Sequence, residues 1–476
     1  MLRRLCEKCG LGMTARAGVY GYWSSPRAFV MVAAGATIGF GNMFSLPYLL
    51  GNYGGGAFLL VYVICLFFVS LPLIMAELLM GRRGRANVVT TTKLLAEEAQ
   101  MHVPAVWSSM AWLALLGAIL VLSYYSVIAG WSMAFTIRGA AGILSHKSPA
   151  EMREILLSLV GDPERSLTWH TMFMITATIF VAHGRAGLER VAGYLMPMAF
   201  VMLLLLLVSA LAVGDLAAGL RLLLTPDFSK LGWEGALEAL QQAFFSLALG
   251  MGVMMTLGLY MPERVSLPVV GGAVVIIDLV FALMSGLAVF AFIFAVGESP
   301  TYGVRLVFQQ LPLVIGEHAG SQGILIFLYL SLFLATMTSA VGLMEPVVVW
   351  LMERYEVSRS LATTTTGVVI WFFGLGTLLS FNAWQDLLVF GRTFYQWLEL
   401  LTGHVLLPLI GVGVCVFVSR AMHVEVLREA WGGGSRWSFE VWRFCLRYPA
   451  RIGLVLVLLY SLGFFKLIQY LWLQTP

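Results

Sequence analysis

The chain has 476 residues, of which 60% are hydrophobic and 11% charged, with a formal net charge of +4. Ordinary soluble proteins carry about 25% charged residues, so a soluble globular protein is excluded, and the small positive excess fits membrane topology rather than a nucleic-acid partner. The composition is that of an all-α polytopic membrane protein.

The first twenty residues hold Arg3, Arg4, Lys8 and Arg16 without an apolar core, so no cleaved signal peptide is expected. Cys6 and Cys9 of CEKC lack a second pair or a histidine cluster, and read as tail rather than a zinc knuckle. Cys65, Cys415 and Cys445 read as packed or interfacial thiols. Apolar runs long enough to cross about 30 Å of hydrocarbon then follow at 28–50, 55–80, 105–137, 168–183, 190–213, 235–260, 266–296, 321–353, 360–381, 387–418 and 449–474. These give eleven spans in four parts: a tail over 1–27, five spans over 28–213, five over 235–418, and a cytoplasmic loop with an additional helix over 419–476. The polar stretches near 139–167 and 419–448 read as the main loops. The interrupted apolar stretch 296–323 reads as short helices dipping back to form an outer cover.

Charge sets the orientation. With the N-terminus inside, the inner segments collect 20 of the 29 Lys and Arg residues, six of them over 419–451. The positive-inside rule therefore places the N-terminus in the cytoplasm, and an odd number of spans leaves the C-terminus outside.

Two spans are badly made helices. GATIGFGNMFSLPY, residues 35–48, packs three glycines, Asn42 and Pro47 into span 1, and FFSLALGMGVMM, residues 244–255, places Gly250 and Gly252 in span 6. One account is close helix packing over small residues. The other is unwound backbone at the bilayer midplane, with carbonyls free for a cation and N–H groups free for a carboxylate. Interruptions at matching positions in two halves of five point to an inverted-repeat transporter. LATMTSA places Ala335, Thr338 and Ser339 on one helix face, where hydroxyls either ligate a hard cation or bond back to their own helix.

The run from Gly35 to Gly84 resembles the first two helices of the neurotransmitter:sodium symporters, bacterial branch. SYYSVIAGW (123–131), FFSLALGMG (244–252), LATMTSAVGLMEP (334–346) and LELLTGHVLLP (398–408) extend the resemblance over nearly the whole chain. It implies a LeuT-type 5+5 inverted repeat with broken helices 1 and 6, and sodium symport of a neutral amino acid. One sodium site would use the carbonyls of Gly35, Ile38 and Ala335 with the Thr338 and Ser339 hydroxyls. The other would use Thr37, Asn42, Ser246, Asp278 and the substrate carboxylate.

Asp278 stands where many relatives carry asparagine, and Ala282 replaces the serine of chloride-dependent members, so no chloride is expected. The substrate carboxylate would meet Tyr125 and the backbone near Phe40 and Gly41. The amine would meet carbonyls of Thr37, Phe245 and Ser246, with Ala248 in place of a common serine. Val121, Phe245, Met251 and Leu343 would line an apolar pocket for a branched, methionine-like or aromatic side chain. Glu77 would cap unwound backbone in span 6, and Glu345 lies near the pocket floor, harder to place.

The gates depart from the family pattern. Ser45 stands where an arginine is usual, opposite Glu399, and Tyr20 replaces an inner arginine near Trp23. Tyr260 and Glu353 fit the inner positions, served by Arg27 or Arg16. A non-transporting amino-acid sensor is therefore the competing expectation. HExxH, GxSxG and GxxxxGK[ST] are absent from the sequence, so neither an enzyme nor an ATP-driven pump is expected. No span repeats the polar ring of a channel. The expected setting is a bacterial plasma (inner) membrane, as a monomer or weak dimer.

Overall fold

A computed structural model describes residues 21–101, 103–431 and 435–464. Cys6, Cys9, Arg16, Tyr20 and Lys466 lie outside the described residues. The described chain is helical almost throughout, with eighteen helical segments. Span 1 is a pair, α1 (Pro26–Thr37) and α2 (Gly41–Asn52), bent by 58°. Then come α3 (Gly56–Gly84), α4 (Val88–Glu98), α5 (Pro104–Ala140), α6 (Pro149–Val160), α7 (Pro163–Ala182) and α8 (Gly184–Val213). The second half holds α9 (Leu216–Leu224), α10 (Phe228–Ser246), α11 (Val253–Leu259), α12 (Leu267–Ala295), α13 (Leu306–Gly316), α14 (Ser321–Tyr355) and α15 (Arg359–Leu379). It ends with α16 (Phe394–Ala421), α17 (Val424–Ala430) and α18 (Arg436–Ser461).

Among the described residues, eight helices are long and apolar enough to cross a membrane, or nine with the bent pair counted. The two other expected spans correspond to α7 and to α10 with α11, so the arrangement is compatible with eleven. The chain is a multi-pass membrane protein. The expected cover over 296–323 contains α13, almost wholly buried. One boundary differs from expectation. The stretch 419–448, expected as a loop, is largely helical, because α17 and the first turns of α18 are amphipathic and their charges read as loop. Of the expected span 449–474, only the part to Phe464 is described.

Five π-helical turns share one cause. Gly41–Ser45, Leu66–Ser70, Leu306–Gln310 and Leu400–Leu406 each end two residues before a proline, and Leu446–Ala450 contains one, Pro449. A proline has no N–H for the carbonyl four residues back. Widening the preceding turn re-pairs carbonyls that would otherwise be stranded in hydrocarbon. Before Pro47, the Leu46 N–H accordingly reaches back five residues to the Gly41 carbonyl.

Close backbone approach holds the broken helices in place. A Cβ on Gly81 of α3 would lie 1.7 Å from the Met255 carbonyl oxygen of α11, and one on Gly258 would lie 2.5 Å from that of Leu78. Across the other break, a Cβ on Gly342 of α14 would lie 2.5 Å from Ala36 Cβ. Glycine at these positions lets α11 lie against α3 and α1 against α14.

Candidate functional site

Both interrupted segments are broken helices. α1 stops at Thr37, Ile38 is extended (φ −78°, ψ 124°), and α2 begins at Gly41. α10 stops at Ser246 and α11 resumes at Val253, with Ala248, Gly250 and Gly252 at positive φ (52°, 76° and 71°). Glu77 of α3 accepts the Gly250 N–H at 2.8 Å and so satisfies one group freed by the second break.

Asp278 of α12, fully buried, faces the seam between the two breaks. Its carboxylate accepts the Ser246 hydroxyl at 2.6 Å and the Asn42 amide at 3.0 Å. Tyr62 of α3 donates to Ser246 at 3.4 Å. The Thr37 hydroxyl donates to Ala34 O at 2.9 Å. One carboxylate thus ties α2, α10 and α12 together, an arrangement suited to a hard cation because every available ligand is oxygen.

A second oxygen cluster joins α1 and α14. Ser339 donates to Ala36 O at 3.1 Å, while Thr338 donates to Ala335 O at 2.8 Å within its own helix. Back-bonding leaves the Thr338 oxygen with lone pairs to offer. A Cβ on Gly35 would come within 3.1 Å of Thr338 Cβ, so the two chains touch at this level.

Between the clusters, the Tyr125 hydroxyl of α5 is buried and makes no hydrogen bond of good geometry, although Ser339 and the Phe40 N–H lie nearby. A Cβ on Gly39 would lie 2.4 Å from it, so the hydroxyl is aimed at the unwound backbone. The Phe40 and Tyr125 rings meet at 4.7 Å. Val121, Ala248, Met251 and Leu343 are buried, and Phe245 is partly buried beside Gly403 of α16. A buried hydroxyl without a partner, aimed at unwound backbone, fits an acceptor such as a carboxylate.

Above this level Ser45 holds the position where the family usually carries an arginine. Ser45 donates to the Gln242 side-chain carbonyl at 3.2 Å, and the Gln242 amide donates to Gly41 O at 3.2 Å. Glu399 accepts the Tyr395 hydroxyl one turn earlier at 3.3 Å. An apolar recess of about 440 Å³ nearby, lined by Trp384, Leu387, Val389, Phe390, Phe394 and Trp397, offers none of the oxygen chemistry of the central site.

The other end is closed by the N-terminal segment. Trp23 is buried, its backbone N–H donating to Tyr260 O and its indole to Leu257 O, both at 3.0 Å. The Tyr260 hydroxyl donates to Glu345 at 2.7 Å, and Arg359 donates to the same carboxylate at 3.1 Å. Arg359 also donates to Val181 O at 2.8 Å.

This network brings in two residues that the expectation did not include. The acid that takes the Tyr260 hydroxyl is Glu345, and the guanidinium beside it is Arg359. Arg27 is exposed at the start of α1, and Glu353 accepts from the Asn87 backbone and side chain at 2.7 and 2.6 Å, bracing the N-cap of α4. Sequence reasoning also passed over Tyr62 and Gln242. Gln242 lies four residues before Ser246, on the same face of α10, and that spacing was the available signal.

The model of the sodium:neurotransmitter symporter family matches residues 20–153 and 154–472. The uncharacterized sodium-dependent transporter YhdH of Bacillus subtilis is 31% identical over 446 residues, 93% of this chain and 97% of that protein. An uncharacterized sodium-dependent transporter of Haemophilus influenzae is 29% identical, over 86% of this chain and 90% of that protein. The crystal structure of MhsT in complex with L-phenylalanine superposes with a TM-score of 0.84 at 31% identity, covering 93% of this chain and 99% of that one. The fold is of the LeuT type, and the family is one of transporters, not enzymes. The chain therefore belongs to the sodium:neurotransmitter symporter family.

Proposed function

We propose that the protein carries a neutral apolar or aromatic amino acid across the membrane together with sodium, by alternating access and without chloride. The observation that carries this reading is the Asp278 carboxylate, hydrogen bonded to Ser246 and Asn42 where the two breaks meet. An intramembrane charge is costly and needs a partner. A sodium ion at Thr37, Asn42, Ser246 and Asp278 supplies that partner, and the fixed carboxylate supplies the negative charge that chloride would otherwise bring. A second sodium binds Gly35, Ile38, Ala335, Thr338 and Ser339.

The substrate carboxylate is taken by the Tyr125 hydroxyl and the backbone of Phe40 and Gly41. The amine is taken by carbonyls of Thr37, Phe245 and Ser246, and the side chain sits among Val121, Phe245, Ala248, Met251 and Leu343. The L-phenylalanine bound by MhsT supports an apolar or aromatic substrate. The site sits in a bacterial plasma membrane with the N-terminus in the cytoplasm, in keeping with the charge bias of the loops.

Alternating access needs a side that closes, and the Trp23–Tyr260–Glu345–Arg359 network is such a closure. It favours transport over a sensor that only binds. Ser45 with Gln242 and Glu399 with Tyr395 form a weaker, uncharged-donor closure on the opposite side. Uptake by reconstituted vesicles under an inward sodium gradient tests the reading. Accumulation that survives replacement of chloride by gluconate is expected, and collapse in gluconate would refute the role of Asp278.

A further inference from the structure

Arg436, Arg443, Arg447 and Arg451 of α18 are each followed at once by an apolar or aromatic residue: Trp437, Phe444, Tyr448 and Ile452. The spacing of both sets is seven, four and four, so on a helix each set forms one longitudinal stripe, about 100° apart. All four apolar members are exposed, Trp437 at 76% and Phe444 at 59%. The opposite face, with Phe439, Trp442 and Leu446, is buried, and the Trp442 indole donates to Pro72 O of α3 at 2.9 Å. The exposed apolar stripe therefore looks away from the protein. It runs without interruption into Val455, in the part of α18 that is apolar enough to lie in the bilayer.

The arginine stripe is under-partnered. Arg443 reaches Glu440 at 3.3 Å, but its Nε is buried without a partner. Arg447 lies over the Tyr448 ring at 5.7 Å. Among the described residues, neither Arg447 nor Arg451 has a carboxylate within ion-pair distance. Arg443 to Arg451 spans about 12 Å of helix axis, a depth that long side chains cover by reaching toward the headgroups.

We propose that this face of α18 binds an anionic phospholipid of the adjoining leaflet, its acyl chains along Phe444, Tyr448 and Ile452 and its phosphate among Arg443, Arg447 and Arg451. Charge complementarity selects the headgroup, since guanidinium recognises phosphate by paired hydrogen bonds. Continuity with the lipid-facing surface of α18 selects a membrane lipid over a soluble anion. The site braces α18 against α3, the helix that carries Tyr62 and Glu77.

Thermal unfolding of the full-length protein in neutral detergent, with added phosphatidylglycerol, phosphatidylcholine or inorganic phosphate, tests the proposal. Phosphatidylglycerol is expected to raise the melting temperature by about 3 °C or more, with little response to the other two. The double variant Arg447→Gln/Arg451→Gln loses that shift, and Arg447→Lys/Arg451→Lys, which keeps the charge but not the paired hydrogen bonds, retains only part of it. An equal shift with phosphatidylcholine would show a nonspecific lipid effect and overturn the proposal. So would an equal shift with inorganic phosphate, or a full shift in the glutamine variant. Should that variant not fold, the comparison of the three additives on the unsubstituted protein still decides.

Discussion

Asp278→Asn is isosteric and removes only the charge. The carboxylate uses both oxygens, Oδ1 for the Asn42 amide at 3.0 Å and Oδ2 for the Ser246 hydroxyl at 2.6 Å. With the new amide oxygen turned to Asn42 and its NH2 to Ser246, whose hydroxyl can rotate to accept, the packing of α2, α10 and α12 should survive. What is lost is the attraction for a cation. Even an ion held on the Asn42 amide oxygen alone would stand about 5 Å from the carboxylate, an attraction of ~3 kcal/mol at an effective dielectric constant near 20, and direct ligation by Asp278 would only add to it. That corresponds to about a hundredfold in apparent sodium affinity. The assay is substrate binding or uptake across a sodium titration, in chloride and in gluconate. The variant should need far more sodium in gluconate, and chloride should recover part of the loss by restoring a negative charge. A sodium dependence unchanged from the unsubstituted protein, in either anion, would refute the reasoning.

Tyr125→Phe removes a hydroxyl with no established hydrogen bond in the protein, so the melting temperature should hardly move. Substrate affinity should fall by roughly 10- to 100-fold, the worth of a hydrogen bond to a charged acceptor, and calorimetric titration reads both. Arg359→Met strands the fully buried Glu345 carboxylate, at a cost of about 3 to 5 kcal/mol. Adding Glu345→Gln should return most of that stability, and thermal melts of the two singles and the double check the coupling. Gly81→Ala drives a methyl into the Met255 carbonyl of α11 and should cost about 3 kcal/mol. An unaltered melting temperature would show that α3 and α11 can move apart.

The breaks in span 1 and span 6 were legible because glycine and proline are conspicuous in apolar runs and their cost in hydrocarbon is high. Asp278 was legible as the only acid in the apolar run of α12. The inner network was not. Glu345 and Glu353 are both acids on α14, eight residues and so a little over two turns apart, and periodicity cannot say which meets Tyr260. The choice is made by Arg359 arriving from the start of α15, a tertiary fact that no local pattern encodes. Helical α17 and the early start of α18 were hidden for a different reason. Their polar faces carry Glu425, Arg428, Arg436 and Glu440, which read as loop until the buried Leu427, Phe439 and Trp442 reveal the opposite faces. Five of the six described π-helical turns were legible only in retrospect, through the prolines that cause them.

The central claim is that the site between the two broken helices couples an amino acid to sodium. Uptake of labelled L-phenylalanine and a panel of apolar amino acids into proteoliposomes, under an inward sodium gradient or an equal potassium gradient, tests it most directly. Concentrative uptake of at least one of them in sodium, absent in potassium and reduced by Tyr125→Phe, is the expected result. Equal uptake in potassium, or binding without accumulation in either salt, would contradict it.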